Sequence, residues 1–188
     1  MSGARPAALL ILGSPHKTGA TAALLRAFLE REGMGLEGHS LFDAYQTRPL
    51  PCVDCGYCKV HNGCALPDLQ DFYREFEQAQ LLVIASPVYN AGLPAPLKAA
   101  VDRTQVYYNA RFSRGIRPPI ALPKRAVLLL TAGADRDYRP LILEQLSPMF
   151  TVTNCKLHGA VCLRDLDGHP ADARRIAEAL ADVPPLRT

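Results

Sequence analysis

LLILGSPHKTGATAALL, residues Leu9 to Leu25, predicts a strand, a tight turn and the start of a helix. The six apolar residues from Ala7 to Leu12 are typical of a strand buried on both faces of a parallel sheet. Apolar residues then recur at helical spacing from Ala20 to Leu29. The first N–H groups of a helix have no intrahelical partner and carry its positive dipole end. The polar loop between the two elements should therefore hold an anion, such as a phosphate.

Two common phosphate motifs do not fit this loop. A Walker loop has four residues between its glycines and a lysine after the second, but five residues separate Gly13 from Gly19, and Ala20 follows. The dinucleotide pattern G-x-G-x-x-G is excluded because Ser14 and Pro15 follow Gly13. A cradle for one phosphate remains, with an ordinary turn between strand and helix as the alternative. The groups that would form the cradle are the hydroxyls of Ser14, Thr18 and Thr21 and the backbone N–H groups near Gly19 and Ala20.

The composition is that of an ordinary globular domain. The 188 residues are 48% hydrophobic and 21% charged, and we expect one domain over residues 1–188. A formal net charge of +3 is too small to indicate nucleic-acid binding. Apolar runs stay well below the roughly eighteen residues of a membrane span, and none follows the charged start of a signal peptide. We therefore expect a cytoplasmic protein with no membrane partner.

Four further strands follow along the chain. A weak strand pattern at His39–Phe42 and three apolar runs alternate with helical patterns, which predicts an α/β fold with a doubly wound parallel sheet. In the strand order 2-1-3-4-5, ligands bind beyond the carboxyl ends of strands 1, 3 and 4, and the three candidate binding loops follow those strands. The apolar runs are Leu81–Ala85, Ala126–Thr131 and Leu157–Leu163.

The loop after the third strand carries an aromatic residue as a candidate for ring binding. Tyr89 could pack against a flat heteroaromatic ring, while the backbone from Pro87 to Asn90 offers donors and acceptors to the edge of that ring. The alternative is a proline-stiffened turn with a buried tyrosine. The loop after the fourth strand, from Thr131 to Asp135, would lie beside it.

Four cysteines lie within an insertion at residues 43–67 that shows little periodicity. They are Cys52, Cys55, Cys58 and Cys64, spaced C-x2-C-x2-C-x5-C. Three cysteines at successive x2 spacing are typical of a [4Fe–4S] site, although five residues precede the last cysteine where ferredoxins have about three. Zinc is an alternative, but structural zinc usually uses two separated C-x2-C pairs. Disulfides fit least, because the chain is expected to be cytoplasmic. His61 lies in the same loop and could replace one cysteine as a metal ligand.

Three segments are similar to known flavoproteins. GSPHKTGAT, from Gly13 to Thr21, resembles the first loop of the flavodoxin-like NAD(P)H-dependent FMN reductases, which commonly reads GSPRKGGNT. SPVYNAGLPAPLKAAVDR, from Ser86 to Arg103, is very similar to their second flavin loop, which often reads SPVYWGSMPAQLKAFIDR. PCVDCGYCKVHNGCALPDLQDFY, from Pro51 to Tyr73, resembles the cysteine motif of iron–sulfur flavoproteins and of a related branch that keeps the cysteines.

The resemblance implies an oxidoreductase with a flavodoxin-like fold. It implies hydride transfer from NAD(P)H to N5 of FMN, followed by electron delivery to a small-molecule or protein acceptor. The flavin carries this chemistry, so we expect no catalytic acid or base from the protein. FMN is favoured over FAD because the chain offers one phosphate site and no second mononucleotide unit. The implied contacts are Ser14, His16, Thr18, Gly19, Ala20 and Thr21 for phosphate, Pro87, Val88, Tyr89 and Asn90 for isoalloxazine, and Thr131, Ala132 and Gly133 for the pyrimidine edge.

Three positions, His16, Ala20 and Asn90, depart from the family pattern and keep the possibility of a vestigial flavin site open. His16 stands where the family often has Arg, and a neutral imidazole binds phosphate less well than a guanidinium. Either His16 is charged beside the phosphate, or the affinity of the protein for FMN is lower than in the family. Asn90 stands where an aromatic residue is frequent, which leaves the stacking arrangement open.

A second irregular stretch is expected at residues 107–123, as an arm. No acidic residue occurs from Arg103 to Ala134, which predicts a positive surface for the 2′-phosphate of NADPH or for an acidic electron-transfer protein. A solvated loop or a dimer arm is the alternative, and the aromatic residues Tyr107, Tyr108 and Phe112 favour an interface. The family implies a homodimer or a higher homo-oligomer. The basic residues are Arg103, Arg111, Arg114, Arg117, Lys124 and Arg125.

Three functions of different classes follow from these patterns. The first is an FMN-dependent oxidoreductase that uses NAD(P)H and a small acceptor such as a quinone or free flavin. The second is an electron carrier with FMN and a [4Fe–4S] cluster on Cys52, Cys55, Cys58 and Cys64. The third is a non-catalytic binding protein with zinc in the cysteine loop and a vestigial flavin site.

Overall fold

A five-stranded parallel sheet forms the centre of the molecule. The computed structural model describes residues 7–186, so the predicted domain is described except at residues 1–6 and 187–188. The strand order is β2-β1-β3-β4-β5, and every neighbouring pair is parallel, as the sequence predicted. The strands are β1 Ala8–Leu12, β2 Ser40–Asp43, β3 Leu81–Pro87, β4 Lys124–Thr131 and β5 Cys155–Leu163.

Helices cover both faces of the sheet and create two apolar layers. Alternate strand side chains pack with α1 and α8 on one face, around Phe28 and Leu24. The other strand side chains pack with α4, α5, α6 and α7, around Phe76 and Leu97. The helices are α1 Ala20–Arg31, α2 Ala44–Thr47, α3 Tyr57–Val60, α4 Gln70–Gln78, α5 Ala95–Asp102, α6 Gln105–Phe112, α7 Arg139–Val152 and α8 Ala173–Leu180. This burial explains why β1 is apolar throughout and β3 is apolar except for Ser86, since both faces of each strand are covered.

The two stretches predicted to be irregular contain helical turns. The insertion at 43–67 includes the one-turn helices α2 and α3. The prediction of an irregular arm over residues 107–123 is wrong at its start, because residues 107–112 belong to α6. Tyr107 is only 5% exposed and packs against Phe76, whereas Tyr108 and Phe112 are exposed.

Two of the basic residues assigned to the predicted positive surface are buried. Arg103 and Lys124 are only 1% and 2% exposed, so neither contributes to a surface field. The ammonium group of Lys124 donates hydrogen bonds to the carbonyl oxygens of Glu77 at 2.9 Å and Ala79 at 2.6 Å, at the end of α4. Burial lowers the pKa of Lys124 from 10.5 to about 8. A charge count along the sequence cannot show that these cations are covered by distant carbonyl groups.

The longest described helix is α7, with 14 residues. From residue 7 to residue 186, no helix combines the length and the apolar character needed to cross a bilayer.

Candidate functional site

The three predicted loops meet at the carboxyl edge of the sheet. The amide of Gly13, after β1, donates to the carbonyl of Ala85 on β3 at 2.8 Å. The amide of Val88, after β3, donates to the carbonyl of Thr131 on β4 at 2.8 Å. The hydroxyls of Thr21 and Thr131 are 2.6 Å apart and buried, which joins the start of α1 to the end of β4. The loops therefore form one connected surface.

The first loop leaves the start of α1 without a side-chain cap. Gly19 precedes the helix with extended backbone and makes no side-chain capping bond. The hydroxyl of Ser14 accepts the amide of His16 at 3.2 Å, which shapes the loop from inside. Ser14 and Thr21 are buried, whereas the side chains of His16 and Thr18 are exposed. The first-turn N–H groups and the dipole of α1 are thus available to an anion.

Gly13 is required by close packing between elements. A Cβ added at Gly13 would lie 2.6 Å from Cδ2 of Leu97 and 3.0 Å from the hydroxyl of Ser86. Leu97 is 2% exposed, so it has little room to move. The glycine lets the end of β1 approach β3 and α5.

The second loop is a tight turn that displays Tyr89. The backbones of Tyr89 and Gly92 exchange hydrogen bonds of 3.0 and 2.9 Å. Asn90 and Ala91, between them, both have positive φ, at 50° and 60°, as in a type I′ turn. Asn tolerates this conformation better than an aromatic residue does, which gives a physical reason for Asn90. The ring of Tyr89 is 43% exposed at the turn, so the alternative of a buried tyrosine is wrong.

The third loop is held from behind by the segment after β5. The amides of Leu166, Asp167 and Asp165 donate to the carbonyls of residues 132, 133 and 134, each at 3.2 Å. A Cβ added at Gly133 would overlap the carboxylate of Asp167. Thr131 and Ala132 are buried, so the exposed part of this loop begins at residue 133.

The structure adds three residues that the sequence analysis missed. Lys17 in the first loop forms an ion pair with Asp43 at the end of β2. Asp43 also accepts the amides of Tyr45 and Gln46, both at 3.1 Å, and so begins α2. Burial, and then the nearby Tyr89, raise the pKa of Tyr45. Tyr45 therefore lies near the second loop. In the sequence, the signal that could have identified these residues is an Asp followed closely by an aromatic residue at the end of a strand.

The four predicted cysteine ligands line one pocket at the surface of the insertion. Cys52 and Cys55 are exposed, whereas Cys58 and Cys64 are half-buried. Arg103 and Gln105 form part of the same pocket wall. His61 lies outside this arrangement, since its ring is exposed and packs 4.5 Å from the ring of Tyr57.

The arrangement of the cysteines does not suit a single metal ion. Within residues 7–186, no group of three or more His, Cys, Asp or Glu side chains is placed to hold one ion. In a [4Fe–4S] cluster each cysteine binds a different iron atom, so the cluster accepts more widely spaced sulfur atoms than zinc does. Four thiol groups around one pocket are the donor set that such a cluster uses.

Two buried side chains donate to the half-buried sulfur atoms. Nδ2 of Asn109 lies 3.1 Å from Sγ of Cys58, and Nη2 of Arg103 lies 3.5 Å from Sγ of Cys64. Arg103 also binds the carboxylate of Asp68 at 2.5 Å and the carbonyls of Leu66 and Leu50 at 2.9 and 3.4 Å. Burial has the largest single influence and would raise the pKa of Asp68, but the hydrogen bond and charge of Arg103 and the hydrogen bond from the amide of Leu50 together outweigh it, so the pKa is lowered.

The family model for NADPH-dependent FMN reductases matches residues 6–166 of this sequence. The chain belongs to the NADPH-dependent FMN reductase family. The matched region of this family contains all three loops and the four cysteines, which confirms the resemblance drawn from the loop sequences.

Relatives of this FMN reductase family member include iron–sulfur flavoproteins. The one from Methanocaldococcus jannaschii is 33% identical over 131 residues, which is 68% of this chain and 62% of that protein. An FMN-dependent NADH:quinone oxidoreductase from Xanthomonas oryzae is 30% identical over 118 residues, 57% of this chain and 58% of that protein. The chain spans 52% to 63% of the length of the curated iron–sulfur flavoproteins that it matches.

The fold of the family is also found in solved structures. The NAD(P)H:quinone oxidoreductase from Methanothermobacter marburgensis superposes with a TM-score of 0.67 at 19% identity, covering 95% of this chain and 92% of that one. The likeness supports the flavodoxin-like architecture of this FMN reductase family member.

Proposed function

We propose that this chain is an FMN-dependent oxidoreductase that takes electrons from NAD(P)H and passes them to a small-molecule acceptor. The observation that carries the proposal is the junction of the three loops through Thr21 and Thr131, beside the uncapped start of α1. Membership of the FMN reductase family supports the same assignment. Bound FMN would supply the redox chemistry, by accepting a hydride and releasing electrons to the acceptor.

The residues of the first loop fit a phosphate group. The open N–H groups of α1 would bind its oxygen atoms, with help from Ser14. In the Thr21–Thr131 pair, one hydroxyl donates and the other accepts, so the accepting hydroxyl keeps its own proton for a further partner. His16 lies exposed in this loop, and its ring N–H would donate to a bound anion.

The other two loops would hold the flavin ring. The exposed ring of Tyr89 would pack against the isoalloxazine, and the backbone of Pro87, Val88 and Asn90 would meet its edge. Thr131, Ala132 and Gly133 would form the wall at the pyrimidine edge. Tyr45, near Tyr89, would limit access of water to the same region.

Titration of the apoprotein with FMN, followed by flavin fluorescence, tests this assignment. We expect saturable binding of one FMN per chain, and oxidation of NADPH or NADH in the presence of a quinone. His16→Ala should weaken FMN binding, since the imidazole stands in the loop assigned to phosphate. Equal affinity in His16→Ala and wild type would remove His16 from the site. A chain that does not bind FMN would refute the proposed oxidoreductase function.

The donor and the assembly are parts of the same proposal. Arg103 and Lys124 are buried, so the positive patch consists of residues that reach the surface, among them Arg111, Arg114 and Arg117. Their charges would favour NADPH over NADH. The exposed rings of Tyr108 and Phe112 on α6 support a homodimer through that helix. Comparison of NADPH and NADH rates for Arg117→Gln, and sedimentation of Phe112→Glu, test the two points separately.

A second candidate function is an electron carrier with FMN and a [4Fe–4S] cluster. The specific observation is that Cys52, Cys55, Cys58 and Cys64 line one pocket whose buried half carries N–H donors. These four thiolates would hold the cluster, which would supply one-electron chemistry. Anaerobic purification followed by iron and sulfide analysis tests it. About four irons per chain would support this function, and a flavin-only protein would exclude it.

A further inference from the structure

The four-cysteine pocket is unequal on its two sides. Cys52 and Cys55 face solvent, whereas Cys58 and Cys64 lie against α6 and the end of α5. Each inner sulfur receives an N–H from a buried side chain, and the hydrogen bonds of the described chain include no such donor to either outer sulfur. The inner half is therefore built to accept hydrogen bonds at sulfur.

Arg103 lies in this inner half although its burial is costly. Its side chain is 0% exposed, and a buried guanidinium needs charged or polar partners. Asp68 and two carbonyl groups use part of its donor capacity, but Nε is buried without a hydrogen-bond partner. Its remaining N–H donors favour a further acceptor in the pocket, and the sulfur of Cys64 is the acceptor already within reach.

Asn109 provides the same type of contact without a charge. It is 3% exposed, its Nδ2 donates to Cys58, and its Oδ1 accepts the hydroxyl of Ser113 at 3.1 Å. The amide oxygen of Asn109 accepts from Ser113, and its NH2 group donates separately to the sulfur of Cys58. Arg103 directly follows α5 and Asn109 lies in α6, so the two donors come from consecutive helices.

We propose that Arg103 and Asn109 are positioning residues for a thiolate-bound iron–sulfur cluster: they fix the sulfur atoms of Cys64 and Cys58 and raise the reduction potential of the cluster. The reason is electrostatic. One-electron reduction adds a negative charge that spreads onto the sulfur ligands, so N–H donors aimed at those ligands stabilise the reduced form more than the oxidised form. This inference rests on the second candidate function.

The test uses the full chain, reconstituted anaerobically with iron and sulfide, and measures iron content and midpoint potential. Asn109→Leu keeps the approximate size of the side chain and removes the donor. We expect the equilibrium constant for reduction of the cluster to fall about tenfold in this variant. For a one-electron couple, this lowers the midpoint potential by about 59 mV. Arg103→Lys should lower the potential by at least as much, because it loses the N–H fork at Cys64.

Ser113→Ala is the matched control. It removes a hydrogen bond to the same Asn109 but leaves the donor to Cys58 in place, so we expect its potential to stay within a few millivolts of the wild type. A merely structural role of Asn109 would shift iron content or stability but not the potential of the cluster that remains.

The outcomes separate the inference from the function on which it rests. A wild-type chain that binds no iron under these conditions would refute the electron-carrier function, and this inference with it. A chain that binds iron but has equal potentials in wild type, Asn109→Leu and Arg103→Lys would refute the inference alone. If Arg103→Lys does not fold, Asn109→Leu decides the question.

Discussion

The proposed flavin loops and the cysteine insertion are positioned by different means. The flavin loops follow β1, β3 and β4 directly, so the hydrogen bonds of the parallel sheet place them at one edge. The insertion at 43–67 contains only two one-turn helices and is held by side chains, above all by Arg103. A binding site can thus be built from the ends of regular elements, or from a loop fixed by one buried cation.

The largest effect should come from removing that cation. Arg103→Met leaves Asp68 without its ion pair and the carbonyls of Leu66 and Leu50 without a donor, and we expect a loss of about 3 kcal/mol in unfolding free energy. Amide exchange should accelerate in residues 50–68 and change little in β1 and β3. Urea unfolding and hydrogen exchange measure the two effects.

Arg114→Met is the control for this change. Arg114 also touches the insertion, through Asn62 at 3.4 Å, but from the surface, so its loss should cost less than about 0.5 kcal/mol. Equal losses for the two arginines, or faster exchange throughout the sheet in Arg103→Met, would contradict the idea that one buried cation holds the insertion.

Gly13→Ala should disturb the flavin region in the complementary way. The added methyl group would lie 2.6 Å from Leu97 in the core, and overpacking of this kind costs about 2 kcal/mol. FMN affinity should fall, while exchange within residues 50–68 stays unchanged. Gly35→Ala, where the nearest atom is 3.7 Å away, is the control and should be close to neutral. Unchanged FMN affinity in Gly13→Ala would separate this contact from the flavin site.

A smaller effect is expected from the hydroxyl pair that joins the first and third loops. Thr21→Val and Thr131→Val each remove a buried hydrogen bond at nearly constant volume, at a cost of about 1 kcal/mol. A double-mutant cycle on unfolding free energy and FMN affinity should show coupling, because the second substitution removes nothing further. Additive losses would mean that the two hydroxyls act separately.

Lys124 lies at the amino edge of the sheet, so its substitution should change neither the loops nor the cysteine insertion. Its influence on the unfolding free energy changes with pH only in the alkaline range. Its pKa is about 8 in the folded chain and ordinarily 10.5, so between these values the unfolded chain binds more protons. This group therefore makes the folded chain more stable as pH rises through that window. Cys155 opposes it, since burial raises the pKa of its thiol from 9.0 to about 12 and the unfolded chain loses that proton first.

The contribution of Lys124 is isolated by difference. We expect the stability of wild type relative to Lys124→Met to rise from pH 8 to pH 10, measured by urea unfolding at each pH. FMN affinity should stay equal in the two proteins. A flat difference would mean that the two carbonyl acceptors of Lys124 keep its ammonium form as stable as in water.

The sequence predicted the features that depend on local periodicity. Apolar runs such as Leu81–Ala85 identified the strands, and the strand order then placed three loops together. Tertiary contacts decided the rest. The burial of Arg103 depends on Asp68, which lies 35 residues earlier, and no pattern around Arg103 encodes that contact. The amide of Asn109 likewise reaches Cys58 across 51 residues.

The support behind the third loop has a practical consequence for protein engineering. Residues 165–167 hold residues 132–134 through three backbone hydrogen bonds, yet they are not among the predicted flavin contacts. A library of substitutions confined to residues 165–167 could therefore change the shape of the pyrimidine-side wall without altering any side chain assigned to the cofactor. Such a library is the natural starting point for adapting this scaffold to modified flavins.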